Sequence, residues 1–198
     1  MKNITKFLPL ACLILFNIGL FAWAYTGAAK WLSVENGMME NAQVALVLIT
    51  GLVYLYAGYK NSGAIRSAAF LMFGVCMIGF IREVDFRQAP DAYAMIKYLF
   101  GPARDIVFAI IGIIMVGYIV LVRAHFSNWI SIMLSWQAWA FYLSIAFIAA
   151  SFASPNFLPH GVMEVFIEEA LELNGYALLL IASFELSKAA YQELQPAE

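Results

Sequence analysis

Six long stretches without a charged residue alternate with short polar breaks along this chain. They predict helices at Phe7–Tyr25, Met39–Tyr59, Ser62–Glu83, Pro102–Val122, Ile132–Ala153 and Gly161–Lys188. Each is near the length of about 20 residues needed to cross a bilayer. Asn36-Gly37, Asn61-Ser62-Gly63, Gly101-Pro102 and Ser154-Pro155 mark the connections, where glycine, proline and asparagine favour turns. Pro102 suits the first turn of a helix. The pattern predicts an all-α, polytopic membrane helix bundle of six spans. It is read as a single domain over residues 1–198 with a short polar tail from Tyr191.

Composition agrees with the pattern. Hydrophobic residues make up 64% of the 198 and charged residues 12%, about half the charged share of a soluble domain. A chain this small has no interior large enough to hide that much apolar side chain from water. Lipid is the solvent the sequence fits. Cys12 and Cys76 lie in apolar runs with no ligand-like spacing and read as packing residues. The uncharged run after Lys6 extends to Ala29, long for a signal peptide, so it is expected to stay as the first span.

Lysine and arginine set the orientation. With the N-terminus inside, the inner side holds Lys2, Lys6, Lys60, Arg66, Arg123 and Lys188, and the outer side Lys30, Arg82, Arg87, Lys97 and Arg104. The two lysines before the first span and the short inner loops favour both termini inside, in a bacterial inner membrane. The acids divide more sharply. Glu185, Glu193 and Glu198 fall inside, while Glu35, Glu40, Glu83, Asp85, Asp91, Asp105, Glu164, Glu168, Glu169 and Glu172 fall outside.

Spacing draws several of these acids into the membrane. Only 12 uncharged residues separate Glu172 from Glu185. That is roughly 18 Å of helix against a hydrocarbon core of about 30 Å. Arg82 and Glu83, and likewise Arg104 and Asp105, are expected near the same depth, because 15 and 17 uncharged residues precede or follow them. Ionisable groups at such depth are costly and mark functional sites. His160, Glu164, Glu168 and Glu172 recur every four residues along one helical stripe, and Gly175 falls on the same face. Glu169 points about 100° away from Glu168. Glu40 and Gln43 share a face one turn apart.

Three functions are open to such a site. The first is a metal-dependent membrane enzyme acting on a lipid or lipid-linked substrate. Glu168, Glu172, Glu83 and Asp85 are its candidate catalytic acids. His160, Glu164, Glu168, Glu172 and Glu40 are the candidate ligands for Mg, Mn, Ca or Zn, since oxygen donors suit hard cations and a histidine admits zinc. Arg82, Arg87 and Arg104, with Asp105, Gln43 and Glu169, would hold an anionic headgroup or form ion pairs. The second is a cation- or proton-coupled transporter or channel, for which stacked acids form an entrance. The third is a non-catalytic subunit docking another membrane protein or a second copy of itself. No HExxH, GxSxG, SxxK or nucleotide motif is present, no transmembrane histidine pair exists to ligate haem, and no nucleic-acid partner is expected. Glu168-Glu169 resembles the opening of the EExxxR motif of CPBP-type intramembrane proteases, but Leu173 stands where the arginine would be, so nothing is carried over from that family.

Overall fold

A computed structural model describes residues 4–32, 37–84, 93–135, 138–158 and 160–193, with the side chains of 4–7 and 188–193 outside the description. The described chain is helical throughout. In order it runs α1 (Ile4–Trp23), a π-helical turn (Ala24–Ala28), α2 (Ala29–Leu32), α3 (Met38–Lys60), α4 (Gly63–Glu83), α5 (Ala94–Phe100) and α6 (Arg104–Leu121). A 3-10 turn (Arg123–His125), α7 (Phe126–Met133), α8 (Trp139–Ala153), a second 3-10 turn (Ser154–Asn156) and α9 (Val162–Glu193) complete it.

Four stretches are long and apolar enough to cross a membrane: Leu8–Leu32, Met38–Lys60, Gly63–Glu83 and Arg104–Leu121. They correspond to the first four expected spans. The first is longer than expected, because the helix continues past Tyr25 through the π-helical turn into α2. Gly27, at φ 97° and ψ 1°, kinks it. That left-handed conformation is open to glycine and costly for other residues.

The expected fifth span is interrupted. Ile132 and Met133 close the short helix α7, and α8 begins only at Trp139 and has 15 residues, about 22 Å of helix. Ser135 ends α7: its hydroxyl donates to the Ile132 carbonyl at 2.6 Å and its amide to the same oxygen at 3.1 Å. Local serine bonds of this kind compete with the helical ladder. The sixth expected helix is longer than its apolar run, 32 residues from Val162 to Glu193, about 48 Å.

The chain forms two compact units, residues 1–43 with 140–181 and residues 44–139 with 182–198. In the first unit α1, α8 and the start of α9 pack around Leu20, Ala140, Phe166, Leu173 and Leu178. The Phe21 and Phe166 rings meet edge to face, 5.3 Å between centroids. A Cβ built on Gly175 would stand 2.5 Å from Ile148 Cγ1 and 3.4 Å from the Ser144 carbonyl oxygen. Glycine therefore permits this close approach of α8 and α9, which is how helices gain contact in lipid.

The second unit uses the same device. Gly51 faces Cys76, Gly58 faces the Phe70 ring and Gly74 faces Met115. Val47, Tyr54, Ile65, Ala69, Cys76 and Ile81 are among its buried residues on α3 and α4. Trp129 on α7 donates to Ser67 Oγ at 3.0 Å and to the Ala64 carbonyl at 3.2 Å, so it is a packing residue of α7 on α4. No residue of α6 is buried; it leans on α4 through Tyr118 against Phe70 and turns the rest of its apolar surface outward.

Candidate functional site

The acid-bearing half of α9 lies in the first unit, and its carboxylates separate into three different environments. Glu164 is occupied with the start of its own helix. It accepts from the Gly161 amide at 3.1 Å, and His160 Nδ1 lies 3.1 Å from both its oxygens. A glutamate at the third helical position reaching back to the amide before the helix is one half of a capping box. His160 itself is 89% exposed. This pair is accounted for by helix initiation.

Glu168, the next member of the expected stripe, is half-buried and meets no partner among the described residues. The engaged acid on that turn is its neighbour. Gln43, fully buried on α3, donates Nε2 to the Glu169 carbonyl at 3.0 Å and to Glu169 Oε2 at 2.8 Å. One turn further on, Glu172 is 7% exposed and accepts from Ser151 Oγ of α8 at 3.2 Å. Glu40 stands half-buried one turn before Gln43.

The run continues with amides. Asn17 of α1 and Asn174 of α9 exchange reciprocal hydrogen bonds of 2.6 and 2.7 Å. Each also donates to a carbonyl of its own helix, Leu13 and Ala170. Ser144 of α8 donates to the Gly175 carbonyl at 2.8 Å. Beyond this level the buried residues of the unit on α9 are Tyr176, Leu178 and Leu179. Glu164 to Asn174 covers ten residues, roughly 15 Å, or about half a hydrocarbon core. Asn17 and Asn174 also form the polar spot in the wall of an otherwise apolar groove of about 480 Å³ between α1 and α8.

One atom in this arrangement is unsatisfied. Gln43 Oε1 is buried and receives no hydrogen bond, and no other buried side-chain nitrogen or oxygen among the described residues is in that position. Leaving a buried acceptor unmet costs about 1–3 kcal/mol.

Comparison with known protein families, with curated proteins and with solved structures finds no match. The chemistry of the site therefore has to be read from its own atoms.

The remaining candidates lie in the second unit. Arg82 pairs with its neighbour Glu83, with Nε 2.6 Å from Oε1, at the end of α4, and Glu83 is 8% exposed. Candidates Asp85 and Arg87 lie outside the described residues, as do Glu35 and Asp91. Arg104 and Asp105 are both exposed at the start of α6, and the Arg104 guanidinium lies over the Phe108 ring, 6.0 Å from its centroid. Among the described residues no group of three or more His, Cys, Asp and Glu side chains is placed to hold a metal ion.

Four contributors escaped the sequence reading: Asn17, Ser144, Ser151 and Asn174. The signal that exposes them is a lone polar residue inside an apolar run. In lipid such a residue must find its partner within the protein.

Proposed function

We propose that the chain crosses a bacterial inner membrane six times, with both termini inside, and that it takes up a proton or small cation at the carboxylates of α9. The proton- or cation-coupled reading, a transporter or channel, is the one the site favours. The observation that carries it is that Glu169 and Glu172 are each engaged within the packed unit by a neighbouring helix, through Gln43 and Ser151. Acids placed there mark ion and proton routes in membrane proteins. The four apolar helices support the membrane assignment. The length of α9 lets it serve as a further span while carrying its acids into the outer half.

The test is flux. Purified protein in liposomes loaded with a pH-sensitive dye should dissipate an imposed proton or cation gradient. Glu172→Gln should slow this at least tenfold. Correctly inserted wild-type protein that stays silent at every pH and with every cation tried sinks the reading.

A second reading is favoured by the place where the polar run stops. Tyr176 and then the apolar Leu178 and Leu179 follow Asn174 and Ser144, and on this reading the site is entered from one end only. A blind site suits a membrane enzyme acting on a lipid, with a divalent metal polarising its substrate. Thermal stability after metal removal and re-addition separates the two: a divalent ion that stabilises the wild type, but not Glu172→Gln, favours the enzyme. A role as partner subunit or homo-oligomer would use the outward apolar face of α6.

A further inference from the structure

Three of the apolar spans meet at one end of the second unit, and every formal charge they bring there is positive. Lys60 is the last residue of the span Met38–Lys60, Arg66 lies in the first turn of the span Gly63–Glu83, and Arg123 and His125 follow the span Arg104–Leu121. No acid occurs from residue 41 to 82 or from 106 to 163. Glu83 and Asp105 stand at the opposite ends of α4 and α6. Glu185 of α9, also in this unit, is half-buried and has a partner of its own. None of the four basic side chains pairs with an acid among the described residues. Cations at the ends of spans are common, so their number alone decides nothing.

The way these side chains are held is more specific. Trp129 of α7 donates to Ser67 Oγ and to the Ala64 carbonyl, which pins α7 to the start of α4. The turn before α7 thereby lies on the connection between α3 and α4: the His125 ring carbon Cε1 stands 4.0 Å from the place a Cβ on Gly63 would take. Arg66 folds back to the same connection and donates Nε to the Asn61 carbonyl at 2.7 Å. That bond orients the guanidinium plane and uses one of its five N–H donors. The others have no partner among the described residues. Lys60, next to Asn61, is held over the Tyr56 ring, 5.7 Å from its centroid. Lys60, Arg66 and Arg123 are exposed and His125 is half-buried.

Helix α7 sets the depth of this cluster. Phe126, Trp129, Ile130 and Met133 recur at i, i+3, i+4 and i+7 and form one face, with Ser127, Asn128 and Ser131 opposite. Phe126 and Ile130 are 58% and 46% exposed, so much of that face is not used for packing inside the chain. Its 8 residues, about 12 Å of helix, cannot cross a bilayer. An amphipathic helix of this kind lies in the interface with its apolar face among the acyl chains. The basic side chains beside it then stand at the level of the headgroups. We propose that Lys60, Arg66, Arg123 and His125 form a binding site for the headgroup phosphate of an anionic phospholipid. The Arg66 guanidinium takes two phosphate oxygens, a pairing its planar fork matches, and the apolar face of α7 lies along the acyl chains. A soluble phosphate ligand would gain nothing from that apolar face, which is why the lipid is the favoured source.

Lipid titration of the purified full chain in neutral-detergent micelles tests this, read by the thermal midpoint and by native mass spectrometry of retained lipid. Phosphatidylglycerol should raise the midpoint and stay bound, while phosphatidylcholine with the same acyl chains should do neither. Arg66→Gln and Arg123→Gln should each weaken phosphatidylglycerol binding about fivefold, the equivalent of about 1 kcal/mol per basic residue. Lys30→Gln, in the other unit, should leave it unchanged. The exposed Arg123 side chain makes no hydrogen bond or ion pair among the described residues, so its variant stays informative even where Arg66→Gln does not fold. Equal binding of the two lipids overturns the proposal, and so does wild-type affinity in Arg123→Gln together with Arg66→Gln. Equal stabilisation by inorganic phosphate at the concentration of the lipid also overturns it, in favour of a soluble phosphate ligand.

Discussion

Gly175 offers the sharpest test of how the carboxylate-bearing helix is held. In an ordinary helix, replacing glycine by alanine stabilises by about 1 kcal/mol. At Gly175 the added Cβ meets Ile148 Cγ1 at 2.5 Å and the Ser144 carbonyl oxygen at 3.4 Å. Ile148 is β-branched and stiff at χ1 in a helix, so its Cγ1 does not turn away cheaply, whereas 3.4 Å to the Ser144 oxygen is close to ordinary contact. Overpacking of this kind costs about 1–3 kcal/mol. If α8 retreats, the Ser144 to Gly175 bond of 2.8 Å lengthens, and an interhelical bond in a membrane protein is worth about 0.6 kcal/mol on average. Together these costs reach about 1.6–3.6 kcal/mol, and the helix gain of about 1 leaves a net loss of about 0.6–2.6 kcal/mol.

Gly112 on α6 supplies the control, since a Cβ there meets nothing within 4 Å. Reversible unfolding in mixed micelles should show Gly112→Ala neutral or more stable, and Gly175→Ala less stable. In an Ile148→Ala background, where the nearer clash is gone, most of the Gly175→Ala penalty should disappear. If Gly175→Ala behaves like Gly112→Ala in both backgrounds, α8 and α9 do not approach as described, and the Ser151–Glu172 contact between the same helices falls with them.

Two further perturbations address the first unit. Gly27→Ala should destabilise by about 1–2 kcal/mol through backbone conformation alone, because a Cβ at Gly27 meets nothing within 4 Å; the same unfolding assay reads it, and an unchanged midpoint argues against the φ of 97°. Asn17→Leu and Asn174→Leu should each cost about 0.6–1.7 kcal/mol, while the double variant should lose clearly less than their sum, because neither amide is then left without its partner. Strict additivity would mean that the two side chains do not meet.

The sequence reading located the first four spans because lipid demands long uncharged runs, and that demand is visible residue by residue. It joined Ile132 to Ala153 for the same reason. Apolarity does not reveal that the Ser135 hydroxyl captures the Ile132 carbonyl and stops α7. The short helices α5 and α7 were read as connections, since they are too brief for their periodicity to stand out.

The candidate site was half legible, and the boundary has a physical cause. Periodicity gives the angle of each side chain around its own helix. It correctly brought Gly175 to a face where another helix approaches closely. It does not say which neighbour occupies each angle. The four-residue stripe therefore grouped Glu164, Glu168 and Glu172, whereas Gln43 of α3 meets Glu169, Ser151 of α8 meets Glu172, and Glu164 turns back to its own helix start. A chain in lipid does, however, constrain these pairings more tightly than one in water. Each polar atom buried between apolar helices must be answered from within the protein. The reciprocal amides of Asn17 and Asn174, the Ser144 bond to Gly175 and the return bond of Thr50 to the Leu46 carbonyl at 2.7 Å all meet that demand. Against that background an unanswered oxygen carries information. Gln43 Oε1 is the exception among the described residues, and it lies on the residue that holds Glu169.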